Sequence, residues 1–513
     1  MKKMYLIGTD IGTTGTKTVI LDENGTLVSK AYRSYKVNTP KASWAEQEAK
    51  VWVEAVIQTL KESLEKANVN PKEVAGVSFS GLYGGSGVPV DKNMSPLYPC
   101  LIWMDRRAWQ ETQWVKDNIP HDKLFEITGN YVDSYFGFTK IMWIRDNLPD
   151  IWNKTYKFVS PKDYVIFELT GELSTDYSSA GNLGGIFDIR TKNWSKEMGD
   201  ALGIPITMLP EKILNSHDIA GYLTKEMSTM TGLIEGTPII SGGIDAPIAQ
   251  LSAGILNEGE HVFMAGTSTC WGTLLNNKKP TSSKLVNYPY VVEADKLLYT
   301  FGGSATTGAL VDWFIDEFGQ LESNVGKQVG ISPYDLLELK AKKVPLGSEG
   351  LLALPYFMGE RSPIWDPDAR GVILGLSLYH QKHHVYRALM ESAAYSLRHN
   401  METAKESGIK LNPDCWIVGG VANSELWTKI FADVTGYNMI KLSDNIEAPL
   451  GDAFLVGLGT GIFKKPEEIK KWIKIESKIE SKKENFKKYD QYYQLFLELY
   501  ESTKDIMHKI SKL

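Results

Sequence analysis

A chain of 513 residues exceeds what one ordinary hydrophobic core accommodates, so two to four domains are expected. With 43% hydrophobic and 23% charged residues, 14 Trp and 24 Tyr, the composition is that of a globular enzyme and excludes a disordered or fibrous chain. A net charge of -6 offers no basic footprint for nucleic acid.

Met1 runs straight into the apolar stretch Met4–Ile7, without the longer apolar run and small-residue cleavage site of a secretory leader. Tyr5–Ile7 and Thr18–Leu21 read as short strands joined by the Gly/Thr-rich turn around Gly12-Thr13-Thr14-Gly15, and Asp22-Glu23-Asn24-Gly25 turns into a third strand. Ser43-Trp44-Ala45-Glu46 has the pattern of a capping box, and Trp52, Ala55, Val56, Thr59, Leu60 and Leu64 follow at helical spacing, which predicts a helix over about 44–66. Val74–Ser80 is a further strand, and alternating strands and helices are expected to about residue 250. His261–Ala265 and Cys270–Leu275 then flank Gly266-Thr267-Ser268, echoing the first hairpin and pointing to an internal duplication. Later come a core-facing helix over His384–Thr403, a strand at Cys415–Val418 ending in Gly419-Gly420, and a helix carrying Leu426, Trp427, Ile430, Phe431 and Val434. From about 464 the chain is Lys/Glu-rich, and Tyr489, Tyr492, Tyr493, Phe496 and Tyr500 form an aromatic stripe suited to docking on the chain's own body. The cysteines, Cys100, Cys270 and Cys415, are far apart without a CxxC pair, so free thiols in a reducing cytosol are expected.

The first Gly/Thr turn exposes backbone N–H groups and hydroxyls that can cradle phosphate oxygens. It is neither a Walker A motif, since Thr16 and not Gly precedes Lys17 and a strand follows, nor a Rossmann fingerprint. Asp10, at the strand end beside that turn, suits a magnesium ion held partly through phosphate oxygens, or a simple Asx turn. Asp245 closes the apolar run Ile239–Ile244, where it can accept a proton from an attacking hydroxyl or cap a helix.

Taken in order, these pieces resemble the FGGY carbohydrate kinases of the actin-like ATPase superfamily. The resemblance runs from Gly8-Thr9-Asp10-Ile11-Gly12-Thr13-Thr14 to Glu447-Ala448-Pro449-Leu450-Gly451. Between them lie Trp103-Met104-Asp105-Arg106-Arg107, Pro161-Lys162-Asp163-Tyr164, Gly266-Thr267-Ser268, Gly359-Glu360-Arg361-Ser362-Pro363 and Gly419-Gly420. Within the family, Ser160–Tyr164 leading to Thr170-Gly171-Glu172 and Ser174–Ser178 looks most like xylulokinases. Tyr83 stands where those enzymes resemble one another in a histidine, and Asp452 where a small residue is usual, in a stretch associated with the adenosine end.

The resemblance implies an α/β fold of two duplicated actin-like ATPase (ribonuclease H-like) domains with a ligand cleft between them. Residues 1–250 would form the sugar-binding side, 251–463 the nucleotide-binding side and 464–513 a C-terminal helical extension. It implies transfer of the γ-phosphate of ATP, with magnesium, to a pentulose such as D-xylulose, or to gluconate, ribulose or another ketose or polyol. Asp245 would be the general base and Asp10 lie near the metal. Thr13, Thr14, Lys17, Gly266, Thr267, Gly308, Gly419, Gly420 and Asn423 would surround the nucleotide, and Tyr83, Trp103, Asp105, Arg106 and Asp245 the sugar. The expected partners are a sugar and ATP, with no nucleic acid or membrane, and a homodimer is left open. A non-metabolic actin-like ATPase fits the fold but not the sugar-side cluster, and a regulator that has lost catalysis would show damage at Asp10 or Asp245, where both carboxylates stand.

Overall fold

The computed structural model describes residues 3–276, 280, 282, 284–443, 447–511 and 513. Tyr5–Ile11 (β1), Gly15–Asp22 (β2) and Leu27–Ser34 (β3) form an antiparallel meander. Ala49–Ala67 (α1) leads to Val74–Gly81 (β4), which runs parallel to β1. Every residue of β4 is buried, as expected of an inner parallel strand covered on both faces. Pro161–Thr170 (α2), Ile219–Tyr222 (β5) and Pro238–Ile244 (β6) follow, and β6 enters Asp245–Ser252 (α3) without a break. The six-stranded sheet has the order β5-β6-β4-β1-β2-β3.

His261–Ala265 (β7) and Thr269–Leu275 (β8) make a second hairpin, followed by Leu298–Ser304 (β9) and Gly308–Phe318 (α4). Lys382–Glu406 (α5), Asp414–Val418 (β10), Glu425–Thr435 (α6) and Asn438–Leu442 (β11) continue the chain. Ala448–Gly459 (α7), Ile475–Ile479 (β12) and Lys483–Ile510 (α8) complete it. The second mixed sheet has seven strands, with Val286–Pro289 at the edge beside β9 and the order continuing β9-β8-β7-β10-β11-β12, and β10 is parallel to β7 as β4 is to β1. The echo of the first hairpin in the second thus extends to the strand order around it, and the fold is the two-domain α/β architecture of actin-like ATPases.

The chain divides into two compact units, one of Met1–Glu258, Leu274–Thr300 and Ile446–Ile473, the other of Gly259–Thr273, Phe301–Asn445 and Lys474–Leu513. In the first, α7 lies so tightly on β1 that a Cβ on Gly8 would stand 1.9 Å from the Pro449 carbonyl oxygen. In the second, Tyr489, Tyr493 and Phe496 of α8 are buried. Arg387 Nη2 donates to Tyr489 Oη at 3.0 Å, Tyr489 Oη donates to Glu391 at 2.9 Å, and Tyr500 Oη donates to Asp366 at 2.7 Å. The aromatic stripe therefore docks on the chain's own helices, as its pattern predicts.

One local expectation fails. Ser43–Glu46 is not a capping box: α1 starts at Ala49, and Glu46-Gln47 instead pair with Cys100-Leu101 as short strands. The buried Glu46 carboxylate accepts from Arg107 Nη2 at 2.7 Å, an ionic bond that outweighs a helix cap. All cysteines are free, with Cys100 and Cys415 buried. No helix among the described residues is long and apolar enough to cross a membrane.

Candidate active site

In the first unit the functional side chains gather where β1, β4 and β6 end. Asp10 on β1 stands opposite Lys17 on β2 and Ser80 on β4. Burial pushes its carboxyl up to about 6, against the Ser80 hydrogen bond and the Lys17 charge, while Glu447 adds to the rise. Asp245, the first residue of α3, is pushed up to about 7, first by burial and then by the charge of Asp10. Its Oδ1 accepts from the Ala246 N–H at 2.7 Å. Just before it, the Ile244 N–H donates to Ser178 Oγ at 3.1 Å, and Ser178 is anchored on Asp176. The Lys162 ammonium holds Asp176 at 3.0 Å and also bonds Asp163, with all three side chains sealed from solvent. A buried ionic cluster thus fixes the backbone that presents Asp245.

The β1–β2 turn is tied down through its carbonyls. Thr13 O accepts from Gln47 Nε2 at 2.8 Å, Thr14 O from the Tyr35 N–H at 3.0 Å, and Gly12 O from Tyr35 Oη at 2.7 Å. Trp103 Nε1 donates to Thr13 Oγ1 at 3.0 Å, so a residue expected beside the sugar meets one expected beside the phosphate. Tyr83 is half-buried, and desolvation, followed by the charge of Asp163, holds its phenol well above the ordinary range, leaving it a neutral hydroxyl.

Asp105, expected beside the sugar, is held by internal hydrogen bonds. It is fully buried, and its oxygens accept from Arg107 Nε and Nη2 and from the Ala45 N–H at 2.6 Å. Both oxygens are thus engaged inside the protein, where Asp105 anchors Arg107 and the chain at Ala45. Arg106 is paired with Asp133. Asp452, on α7, lies in the first unit, where its Oδ2 stands 2.6 Å from Ser80 Oγ.

In the second unit, the Gly266-Thr267 turn meets the start of α4. The N–H groups of Thr307 and Ala309 donate to Thr267 O at 3.0 and 3.1 Å, and that of Gly308 to Gly266 O at 2.9 Å. Gly419 has φ 98°, and a Cβ there would lie 2.3 Å from Ala265 O, so only glycine lets the end of β10 approach the end of β7. Gly419 and Asn423 line a cavity of about 90 Å³ with Ala422, Lys441, Ser443 and Glu476, while Gly420 is exposed at its edge of the chain. Gly266, Thr267 and Gly308 are therefore one cluster, and Gly419 and Asn423 a second that Gly419 ties to the strand before Gly266.

Several residues around these clusters carry no assigned role in the sequence reading: Gln47 and Ser80, which no motif there names as a site, and Glu447, the Lys162 cluster, Glu360 and Arg361, which it names only within family motifs. Glu360 accepts from Ser304 Oγ at 2.6 Å and from the Ala305 N–H at 2.7 Å, and Arg361 donates to the carbonyls of Thr269 and Ser304 at 3.0 Å each. The Gly359–Pro363 motif was the available signal for the last two.

Comparison with known proteins decides the family. Residues 5–252 match the N-terminal domain of the FGGY family of carbohydrate kinases and residues 262–458 its C-terminal domain. The chain belongs to this family. Among curated FGGY kinases, xylulose kinase of Bacillus subtilis is 31% identical over 506 residues, covering 98% of each chain. Gluconokinase of the same organism is 31% identical over 456 residues, covering 88% of this chain and 87% of its own. The solved structure of ligand-bound xylulose kinase from Lactobacillus acidophilus superimposes with a TM-score of 0.91 at 24% identity, covering 99% of this chain and 100% of that one. At that identity the likeness speaks for the FGGY fold alone.

Proposed function

We propose that this carbohydrate kinase transfers the γ-phosphoryl group of ATP to a hydroxyl of D-xylulose. The observation that carries the reading is Asp245, fixed at the end of β6 and with its carboxyl raised to about 7, where it can take a proton from an alcohol near neutral pH. Similarity to xylulose kinases over nearly the whole chain supports the substrate.

Asp10 and Asp245 repel each other in a poorly solvated place, which is the setting a divalent cation relieves. No cluster of three or more His, Cys, Asp or Glu side chains fit to hold a metal occurs among the described residues. One or two carboxylates suit magnesium carried mainly by nucleotide phosphates, so the residues fit, with Asp10 as the protein's donor. Bound there, magnesium would neutralise charge developing on the phosphoryl oxygens. Lys17 and the N–H groups of the β1–β2 turn add positive potential, Tyr83 and Trp103 orient the sugar, and Asp245 accepts the hydroxyl proton. Gly266, Thr267, Gly308, Gly419, Gly420 and Asn423 hold the nucleotide.

The test is ADP release with D-xylulose, D-ribulose, gluconate and glycerol over a no-sugar background. D-xylulose should give the highest kcat/KM. A preference for gluconate, the second reading favoured by the gluconokinase relative, would replace the first, and equal ATP hydrolysis with and without every acceptor would end both.

A further inference from the structure

Asp452 is a carboxyl group with no exposure at all, on α7, far in sequence from the residues it touches. Its Oδ2 lies 2.6 Å from Ser80 Oγ and its Oδ1 3.4 Å from Ser78 Oγ, both buried. Burial first, and then the charge of Asp10, hold its carboxyl well above the ordinary range, against the hydroxyls of these two serines and the Ser80 N–H. Ser80 Oγ lies at the same time 2.9 Å from Asp10 Oδ1.

A serine hydroxyl has one hydrogen and cannot donate to two carboxylates at once. Both short contacts are satisfied only if one of the two carboxyls carries a proton. Asp10 faces the Lys17 ammonium, whereas an ionised Asp452 would be a buried charge with only neutral donors. The proton therefore belongs on Asp452.

We propose that Asp452 is a positioning residue held as a neutral carboxylic acid: it donates to Ser80 Oγ, which commits the Ser80 hydrogen to Asp10 Oδ1 and leaves Asp10 Oδ2 for the cation beside the nucleotide. The part concerning the cation rests on the kinase reading above; the protonated acid does not. Glycine at position 8 is what allows the arrangement, since Asp452 Cβ would lie 2.9 Å from a Cβ placed there.

Two measurements test this. Infrared spectroscopy of the ligand-free protein at neutral pH should show the carbonyl stretch of a protonated, buried carboxylic acid that disappears in Asp452→Asn; a spectrum unchanged by that substitution overturns the proposal, whatever the protein catalyses. In steady-state kinetics, Asp452→Asn, whose amide can still donate to Ser80, should keep the parent's magnesium requirement within about twofold. Asp452→Ala and Ser80→Ala should each raise it roughly tenfold or more, as loss of a group that orients a metal ligand does. An Asn variant as impaired as the Ala variant would show that Asp452 acts as an anion and sink the idea. Loss of acceptor phosphorylation in the parent itself, with the infrared band present, would remove the kinase reading and leave the protonated acid standing.

Discussion

A carboxylate that must take a proton from an alcohol works best when its own pKa lies near the working pH. Asp245 meets that condition through burial and the nearby charge of Asp10. Asp245→Asn should lower single-turnover transfer by about 10²–10⁴-fold while nucleotide affinity stays within a few-fold; substantial retained transfer would take the base role away from it. The sign of the pH dependence follows from the same shifts. The base must be ionised, so kcat/KM should rise with pH through the raised carboxyl range of the pair, whose limb belongs to Asp10 and Asp245 jointly. A bound cation favours the ionised forms, so saturating magnesium should move that limb to lower pH. A limb indifferent to magnesium would separate Asp10 from the metal. Tyr83 invites a specificity test: if its neutral hydroxyl bonds the sugar, Tyr83→Phe should change the ratio of specificity constants among acceptors, and Tyr83→His should favour D-xylulose. Uniform losses across the sugars would make Tyr83 a packing residue.

Among the elements, the legible parts of the fold are those whose cause is local. The strands at 5–11, 261–265 and 414–418 announce themselves as short apolar runs closed by Gly/Thr or Gly-Gly, and the turns proposed for phosphate sit at those closures. Glu46 deceived because its partner, Arg107, lies 61 residues away. Asp452 and Ser80 are 372 residues apart, and no local pattern registers such a pair. Two substitutions probe the packing between elements. Gly8→Ala drives a methyl into the Pro449 carbonyl of α7 and should cost on the order of 3 kcal/mol, read as a lower urea midpoint. Arg387→Met strands the buried Glu391 beneath α8 and should cost about 3–5 kcal/mol, largely recovered by adding Glu391→Leu. Failure of the second change to rescue would mean that the pair supplies more than mutual neutralisation.

Across the whole molecule, each unit has its own buried aromatic side chains, Trp52 in the first and Trp271 and Tyr395 in the second. Unfolding is therefore expected to depart from two-state behaviour, and ADP should protect amides of β7 and β10 from hydrogen exchange more than those of β3. Equal protection of all three would argue against assigning the nucleotide residues to the second unit. The return of the chain to the first unit at 446–473 has a further consequence, for synthesis. The inner face that α7 covers belongs to strands made some 372 residues earlier, and at ~5–20 residues per second a ribosome needs roughly twenty seconds to over a minute to deliver that cover. Nascent chains stalled before Ala448 should accordingly expose β1 and β4 to protease and recruit chaperones, and lengthening them past Gly459 should end both.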